Sequence, residues 1–204
     1  MNRGAMFTLR AVPLAACLAL TLLSGCGRGE APTADPPLAG AAIGGPFELV
    51  DSAGQTVRWS DFDGKYRVLY FGYAYCPDVC PLDVQRMMRG FAQFKAAYPE
   101  RAAQVQPIFI TIDPARDTPA VVGEFTRAFS SDLLGLTGTP EQIGQAAKAF
   151  AVYYQKGDAG AGGGYMMDHS RAAYLMGRKG EPIATLPVDQ SAEAVAAELA
   201  KWVS

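Results

Sequence analysis

Residues 65–98 read "KYRVLYFGYAYCPDVCPLDVQRMMRGFAQFKAAY" and place two cysteines, Cys76 and Cys80, between two different hydrophobic patterns. Before the cysteines, residues 65–73 form an aromatic and aliphatic run that is typical of a buried strand. After them, apolar residues recur at helical spacing and predict a helix over 82–98. The members of this apolar stripe are Val84, Met87, Met88, Phe91 and Phe94. At that spacing the two methionines indicate core packing rather than copper ligands.

The rest of the chain alternates strand and helix patterns. We predict a hairpin over 46–62, a buried strand over 105–112, a helix over 120–129, a short strand over 133–136, a helix over 140–154, a glycine-rich loop over 157–164, a hairpin turned at Lys179 and Gly180, and a closing helix over 191–203. Ser191 is the predicted N-cap of that last helix. This order indicates an α/β fold with a mixed central sheet flanked by helices. Sites in such sheets form beyond the carboxyl ends of strands, which is where Cys76 lies.

The N-terminus is typical of an export signal. Two arginines and no acid accompany an apolar run over 11–23, which is too short to span a membrane, and "LSGC" resembles a lipoprotein box that ends at Cys26. We expect a signal peptide over 1–25, a lipidated Cys26 followed by a flexible Gly/Ala/Pro tether to residue 45, and one domain over 46–204. An uncleaved N-terminal anchor is the alternative. Either way the domain is expected in the bacterial cell envelope, at a membrane and on the periplasmic side.

Net charge and cysteine content limit the classes of function that fit this chain. Loss of the signal changes the formal net charge from −2 to −4, and no basic patch is present, so nucleic acid is not an expected partner. Cys17 leaves with the signal and Cys26 takes lipid, so Cys76 and Cys80 remain. A disulfide between them would close a very small loop and stabilise little. In an oxidising compartment, a retained pair of this kind indicates a functional role.

The chemistry of the pair depends on a third residue. Thiols at a helix N-terminus favour the thiolate, and an i, i+4 spacing of about 5–6 Å suits a shared metal better than a disulfide. His169 is the one histidine of the chain and offers a third donor, which Asp168 and Ser170 could orient, although a structural role for it stays open. Two thiolates and one imidazole suit Cu(I), with zinc or Cu(II) an option if a fourth ligand joins.

Four motifs in order, "FGYAYCPDVCP", "IDPARDTP", "GLTGTPEQI" and "YMMDHS", resemble the Sco/SenC family of copper proteins over roughly residues 46–203. The resemblance implies a thioredoxin-like fold with an extra N-terminal β-hairpin. It also implies that Cys76, Cys80 and His169 bind copper, as Cu(I) or Cu(II).

Further residue roles follow from the same resemblance. Asp78 matches an acid near the metal, and Tyr165 matches an aromatic residue near the histidine. Asp113, Arg116 and Asp117 match the "DPxRDTP" loop, where we expect an Asp–Arg pair to brace the backbone. Because glycine increases loop freedom, we hypothesise that metal binding orders residues 157–169.

The resemblance implies a metallochaperone that needs no turnover of a small substrate. It would deliver copper to the dinuclear copper site of cytochrome c oxidase subunit II, or reduce the cysteines of that site. The implied partners are this subunit as apoprotein, the membrane through the lipid anchor, and another periplasmic copper chaperone as a further candidate.

Two enzymatic alternatives share the same cysteines. In a thiol–disulfide oxidoreductase, one of Cys76 and Cys80 attacks and the other resolves, while His169 tunes the thiolate. A peroxidase would need an arginine, Arg116 or Arg171, beside a reactive thiol. A purely structural disulfide leaves the histidine and the four motifs unexplained.

Overall fold

The structure is a computed structural model that describes Met1, Gly4, residues 35–159 and residues 164–204. Its strands are β1 (Glu48–Val50), β2 (Thr56–Arg58), β3 (Tyr66–Gly72), β4 (Val105–Thr111), β5 (Leu134–Leu136), β6 (Tyr154–Ala159), β7 (Tyr165–His169), β8 (Ala173–Met176) and β9 (Pro182–Leu186). Its α-helices are α1 (Val79–Ala97), α2 (Pro99–Ala102), α3 (Pro119–Arg127), α4 (Pro140–Ala149) and α5 (Ala192–Trp202), and a 3-10 helix spans Trp59–Phe62.

The central sheet has five strands in the order β5-β4-β3-β8-β9. Strand β3 pairs parallel with β4 and antiparallel with β8, so the sheet is mixed, as predicted. All seven residues of β3 are buried, as expected for a strand covered on both faces of the sheet. Strands β1 and β2 form the predicted N-terminal hairpin. The α/β class and the thioredoxin-like arrangement with an extra hairpin are confirmed.

Helix α1 leads from the cysteines into the core and packs against α5. The two helices approach closely at Gly90, where a Cβ atom would lie 2.6 Å from the Ala192 carbonyl oxygen, so only glycine fits there. Met87 and Met88 are buried in this core, as their spacing predicted. The predicted cap of α5 is present too, since Ser191 Oγ accepts a hydrogen bond from the Ala194 amide at 3.2 Å.

The structure differs from the prediction between residues 150 and 170. Helix α4 ends at Ala149 instead of continuing to residue 154, because Ala151 adopts a left-handed φ of 52° and the chain then enters β6. The predicted glycine-rich loop is partly a strand, since β6 continues to Ala159 and pairs antiparallel with β7. His169 is therefore the last residue of a strand, β7.

The predicted signal peptide falls almost entirely, and Cys26 entirely, outside the described residues. Within the described part, no helix is both long enough and apolar enough to cross a membrane. The end of the predicted tether lies on the domain, because the Leu38 amide donates to the Ile183 carbonyl at 3.0 Å and the Gly44 amide donates to Ala149 at 2.8 Å. The side chains of Leu38 and Ile43 pack against the core there.

Candidate metal centre

The two cysteines lie on either side of the start of α1. After β3 the chain turns, with the Cys76 amide donating to the Tyr73 carbonyl at 3.2 Å, and the helix begins at Val79. The pair is thus not on a regular helix. The spacing of about 5–6 Å expected for positions i and i+4 of a helix therefore does not apply to it. Cys76 Sγ instead accepts a hydrogen bond from the Cys80 amide at 3.4 Å, which satisfies a free N–H group of the first helical turn. Both thiols are reduced and buried.

His169 is brought to Cys80 across 89 residues of sequence. Its Nε2 atom lies 3.2 Å from Cys80 Sγ. Its Nδ1 atom lies 2.8 Å from the Ser170 carbonyl oxygen. Since a carbonyl only accepts, Nδ1 carries the proton, and the unprotonated Nε2 turns its lone pair toward the sulfur. The orienting group beside the ring is thus the Ser170 backbone.

Two tyrosine rings enclose the histidine. Tyr73 and Tyr70 stand edge-on to the His169 ring, at centroid distances of 6.0 and 6.5 Å. Burial lowers the pKa of His169, so the imidazole is neutral and able to donate a lone pair to a metal at neutral pH. Burial raises the pKa of Tyr73 to about 12, and the neighbouring Cys76 adds to this effect, so its hydroxyl stays protonated.

The electrostatics of Cys80 differ from the sequence-based expectation. A helix N-terminus was expected to favour the thiolate, but burial raises the pKa of this thiol, and the adjacent Cys76 raises it further. The fully buried sulfur is therefore a thiol in the metal-free protein. Its proton must leave when a metal binds, since the thiolate is the ligand form.

The "DPARDTP" loop holds the other end of β7. Arg116 forms an ion pair with the buried Asp113 and donates from Nη1 to the Tyr165 carbonyl at 2.9 Å. The Tyr165 hydroxyl donates to Asp113 at 2.8 Å, and the guanidinium lies 3.7 Å above the Tyr165 ring. We call these three residues the Tyr165 clamp. Asp117 accepts from the Ala74 amide at 2.8 Å, which ties the loop to the cysteine-bearing turn.

The remaining predicted residues lie at the rim. A cavity of about 290 Å³ is lined by Cys76 and His169, and Asp78 and Asp168 border it as exposed side chains. Tyr165 is not among the residues that line it. Asp78 is the N-cap residue of α1, but its side chain makes no capping hydrogen bond.

A metal would have to draw the donors closer together. Over residues 35–159 and 164–204, no three His, Cys, Asp or Glu side chains lie near enough to one another to hold an ion. Two of the three predicted donors, Cys80 and His169, are already in contact, while the Cys76 thiol is turned to the helix N-terminus. The soft thiols and the neutral imidazole fit copper chemically.

Two residues that support this site, Tyr70 and Asp83, were not predicted from the sequence, and Arg171 was named there only for peroxide chemistry. Tyr70 and Asp83 are fully buried, and Arg171 binds Asp83 through both carboxylate oxygens. The available signal was an acid on the apolar face of α1, one turn after Cys80. Arg171 and Arg116, which peroxide chemistry would need at a thiol, both direct their guanidinium groups to carboxylates.

Comparison with known protein families leads to the same family as the four sequence motifs. The family model described as SCO1/SenC matches residues 35–204. The chain belongs to the SCO1/SenC family. Among curated SCO1/SenC relatives, Protein SenC of Rhodobacter capsulatus is 47% identical over 144 residues, which cover 69% of this chain and 62% of that protein. The chain spans between 41% and 63% of the length of the first five curated relatives.

Solved SCO1/SenC structures share the fold. The crystal structure of Arabidopsis thaliana ScoI with copper bound has a TM-score of 0.71 and 33% identity, and the match covers 78% of this chain and 96% of that one. Bradyrhizobium japonicum ScoI with copper bound has a TM-score of 0.67 and 35% identity, covering 78% and 99%.

Proposed function

We propose that this SCO1/SenC protein is a membrane-tethered copper-binding metallochaperone that takes part in cytochrome c oxidase assembly. The observation that carries the proposal is the contact between Cys80 Sγ and His169 Nε2 at 3.2 Å, with Nδ1 engaged by a carbonyl. The copper bound to the Arabidopsis and Bradyrhizobium relatives supports the choice of metal. The membrane tether is proposed from the sequence before residue 46.

Cys76, Cys80 and His169 would hold the copper. Bound there, the copper ion is the cargo that a recipient protein takes over by exchanging ligands. To join the other two donors, Cys76 would release the Cys80 amide and turn its sulfur toward the cavity. Because sulfur is a weak hydrogen-bond acceptor, giving up this one contact costs little. The two tyrosine rings would limit access of water to the imidazole.

The recipient that we propose is the dinuclear copper site of cytochrome c oxidase subunit II. Copper transfer to it needs partner thiolates that replace the ligands of this chain one at a time. A further periplasmic copper chaperone is proposed as the source of the metal. We place the domain on the periplasmic side of the membrane.

A second function of the same sulfurs is thiol–disulfide exchange, favoured by the hydrogen bond from the Cys80 amide to Cys76 Sγ. Cys76 would attack a partner disulfide, and Cys80 would then displace the partner. The Cys76–Cys80 dithiol is oxidised to a disulfide, the partner disulfide is reduced to two thiols, and two protons and two electrons pass to the partner.

The test uses the reduced domain with the single variants Cys76→Ser, Cys80→Ser and His169→Ala. We expect one Cu(I) per wild-type chain, and at least about 100-fold weaker binding in each variant, measured by competition with a chromophoric chelator. His169→Ala should keep its thiol exchange rate. Equal copper affinity in wild type and His169→Ala would contradict the three-donor site.

Hydrogen exchange tests whether metal binding orders the segment that carries His169. We propose that Cu(I) slows amide exchange over the described part of residues 157–169, because ligation of His169 fixes the end of β7. Unchanged exchange on adding Cu(I) would refute this ordering.

A further inference from the structure

Asp83 is a fully buried carboxylate one helical turn after Cys80. Arg171 donates to it from Nε at 3.0 Å and from Nη2 at 2.8 Å, which is a two-pronged ion pair. A buried charge is costly unless it is paired, so Asp83 needs this partner. The pair joins α1 to the short connection between β7 and β8, across 88 residues of sequence.

Tyr70 adds a third contact to the same carboxylate. Its hydroxyl donates to Asp83 Oδ2 at 3.0 Å, and its ring stands edge-on to His169. Arg86 Nη1 also lies 3.7 Å from Asp83. Asp83 therefore lies at the base of the candidate metal centre, between the strand that precedes the cysteines and the segment that carries the histidine.

A continuous chain of contacts leads from one nitrogen of His169 through Arg171, Asp83 and Cys80 back to its other nitrogen. The Nδ1 atom donates to the Ser170 carbonyl, the next residue is Arg171, Arg171 binds Asp83, and Asp83 is one turn from Cys80. Cys80 Sγ completes the chain at His169 Nε2. Strand β7 itself belongs to a two-stranded sheet outside the central one, so the main sheet does not fix its end.

We propose that Asp83 and Arg171 are positioning residues, whose ion pair sets the orientation and distance of His169 relative to Cys80. The inference rests on the proposed copper site and extends it to residues that do not touch the metal. Residues of this kind behind a metal-binding histidine change affinity by about 10–100-fold when they are replaced.

Charge and positioning both predict weaker metal binding when Arg171 is replaced by an uncharged residue. Cu(I) held by two thiolates and a neutral imidazole carries a net charge of −1, whereas the metal-free thiols and imidazole are neutral, so loss of the positive Arg171 disfavours the loaded site. Loss of positioning weakens binding as well, because the imidazole is no longer aimed at the sulfur. Arg171→Lys keeps the charge but loses the two-pronged contact with Asp83, so a loss of affinity in this variant reports positioning.

The experiment compares Arg171→Met, Arg171→Lys and the control Lys95→Met in the full domain. Lys95 loses the same charge, lies in the last turn of α1, and pairs with Asp132 at 2.7 Å on the surface. We expect Arg171→Met to weaken Cu(I) binding about 10–100-fold, Arg171→Lys to weaken it less, and Lys95→Met to leave it unchanged, measured by chelator competition.

The metal-free protein gives an independent readout. Nitrogen NMR of His169 should show the Nδ1-protonated form in wild type and Lys95→Met, and a mixture of tautomers in Arg171→Met. Wild-type affinity in Arg171→Met would overturn the proposal, and so would an unchanged tautomer. If wild type itself binds no Cu(I), the proposed function fails, while the tautomer measurement still decides the positioning role. If Arg171→Met does not fold, Arg171→Lys decides the question by the same two measurements.

Discussion

The cysteine-bearing junction between β3 and α1 and the histidine-bearing hairpin of β6 and β7 are built in different ways. Every residue of β3 is buried, and the inner face of α1 packs into the core. In the hairpin, Met167 alone of the eleven strand residues is buried. Polar contacts hold the hairpin instead, through the Tyr165 clamp at one end and Arg171 at the other. Apolar packing thus fixes two candidate ligands, and hydrogen bonds fix the third.

The largest expected effect comes from the core side of this comparison. Leu69→Ala removes a fully buried side chain from β3 and should lower the free energy of unfolding by about 2–5 kcal/mol. Asp158→Ala, at an exposed position of strand β6 in the hairpin, should change it by less than about 0.5 kcal/mol. Chemical denaturation measures both. Equal losses would contradict the distinction between the two regions.

Breaking the Tyr165 clamp should loosen the hairpin and spare the core. Arg116→Met leaves the buried Asp113 without its ion-pair partner, at a cost of about 1–3 kcal/mol. Hydrogen exchange should become faster at the described amides of β6 and β7. The amides of β3 should exchange faster only by the factor that the loss of global stability itself predicts. Arg178→Met, which removes an exposed hydrogen bond to Ser204, is the control. Faster exchange confined to β3 would contradict this account.

The stability of the metal-free protein should depend on pH through His169. Burial lowers the pKa of its imidazole in the folded chain, while in the unfolded chain it titrates near 6.5. As pH falls through 6.5, the unfolded chain binds the proton first, so stability is present above that pH and decreases below it. The slope contributed is at most about 1.4 kcal/mol per pH unit. Denaturation between pH 7.5 and 5 should show a flatter profile for His169→Gln, and identical profiles would rule the effect out.

The smallest effect is expected at the tyrosine of the clamp. Tyr165→Phe removes the hydrogen bond to Asp113 but keeps the ring beneath Arg116, so the loss should be about 0.5–1.5 kcal/mol. Tyr153→Phe, an exposed hydroxyl bonded to Gln155 on the same hairpin, should cost less. A larger loss in Tyr153→Phe would place the support of the hairpin elsewhere.

The cysteine side of the site was predictable because its information is local. A continuous strand pattern, a turn with two cysteines and a helical stripe follow one another within residues 65–98, and the structure reproduces them in that order. Local periodicity decides such elements. The exact start of α1 at Val79 was not predictable, and with it the capping contact of Cys76.

The histidine side was only partly predictable. His169 was predicted because the chain has one histidine and it lies in the "YMMDHS" motif. Strand β6 was not predicted, because the glycine-rich run indicated a loop. Pairing of β6 with β7 depends on backbone hydrogen bonds, which glycine also makes. The Asp83–Arg171 pair joins residues 88 apart, and one sequence does not indicate which arginine meets which carboxylate.

The most direct test of the central claim is X-ray absorption at the copper edge of the Cu(I)-loaded domain, recorded for wild type and His169→Ala. We predict two sulfur neighbours and one imidazole nitrogen in wild type, with the imidazole signal absent from the variant. A wild-type spectrum with sulfur neighbours alone would contradict the claim that folding brings His169 into the same site as Cys76 and Cys80.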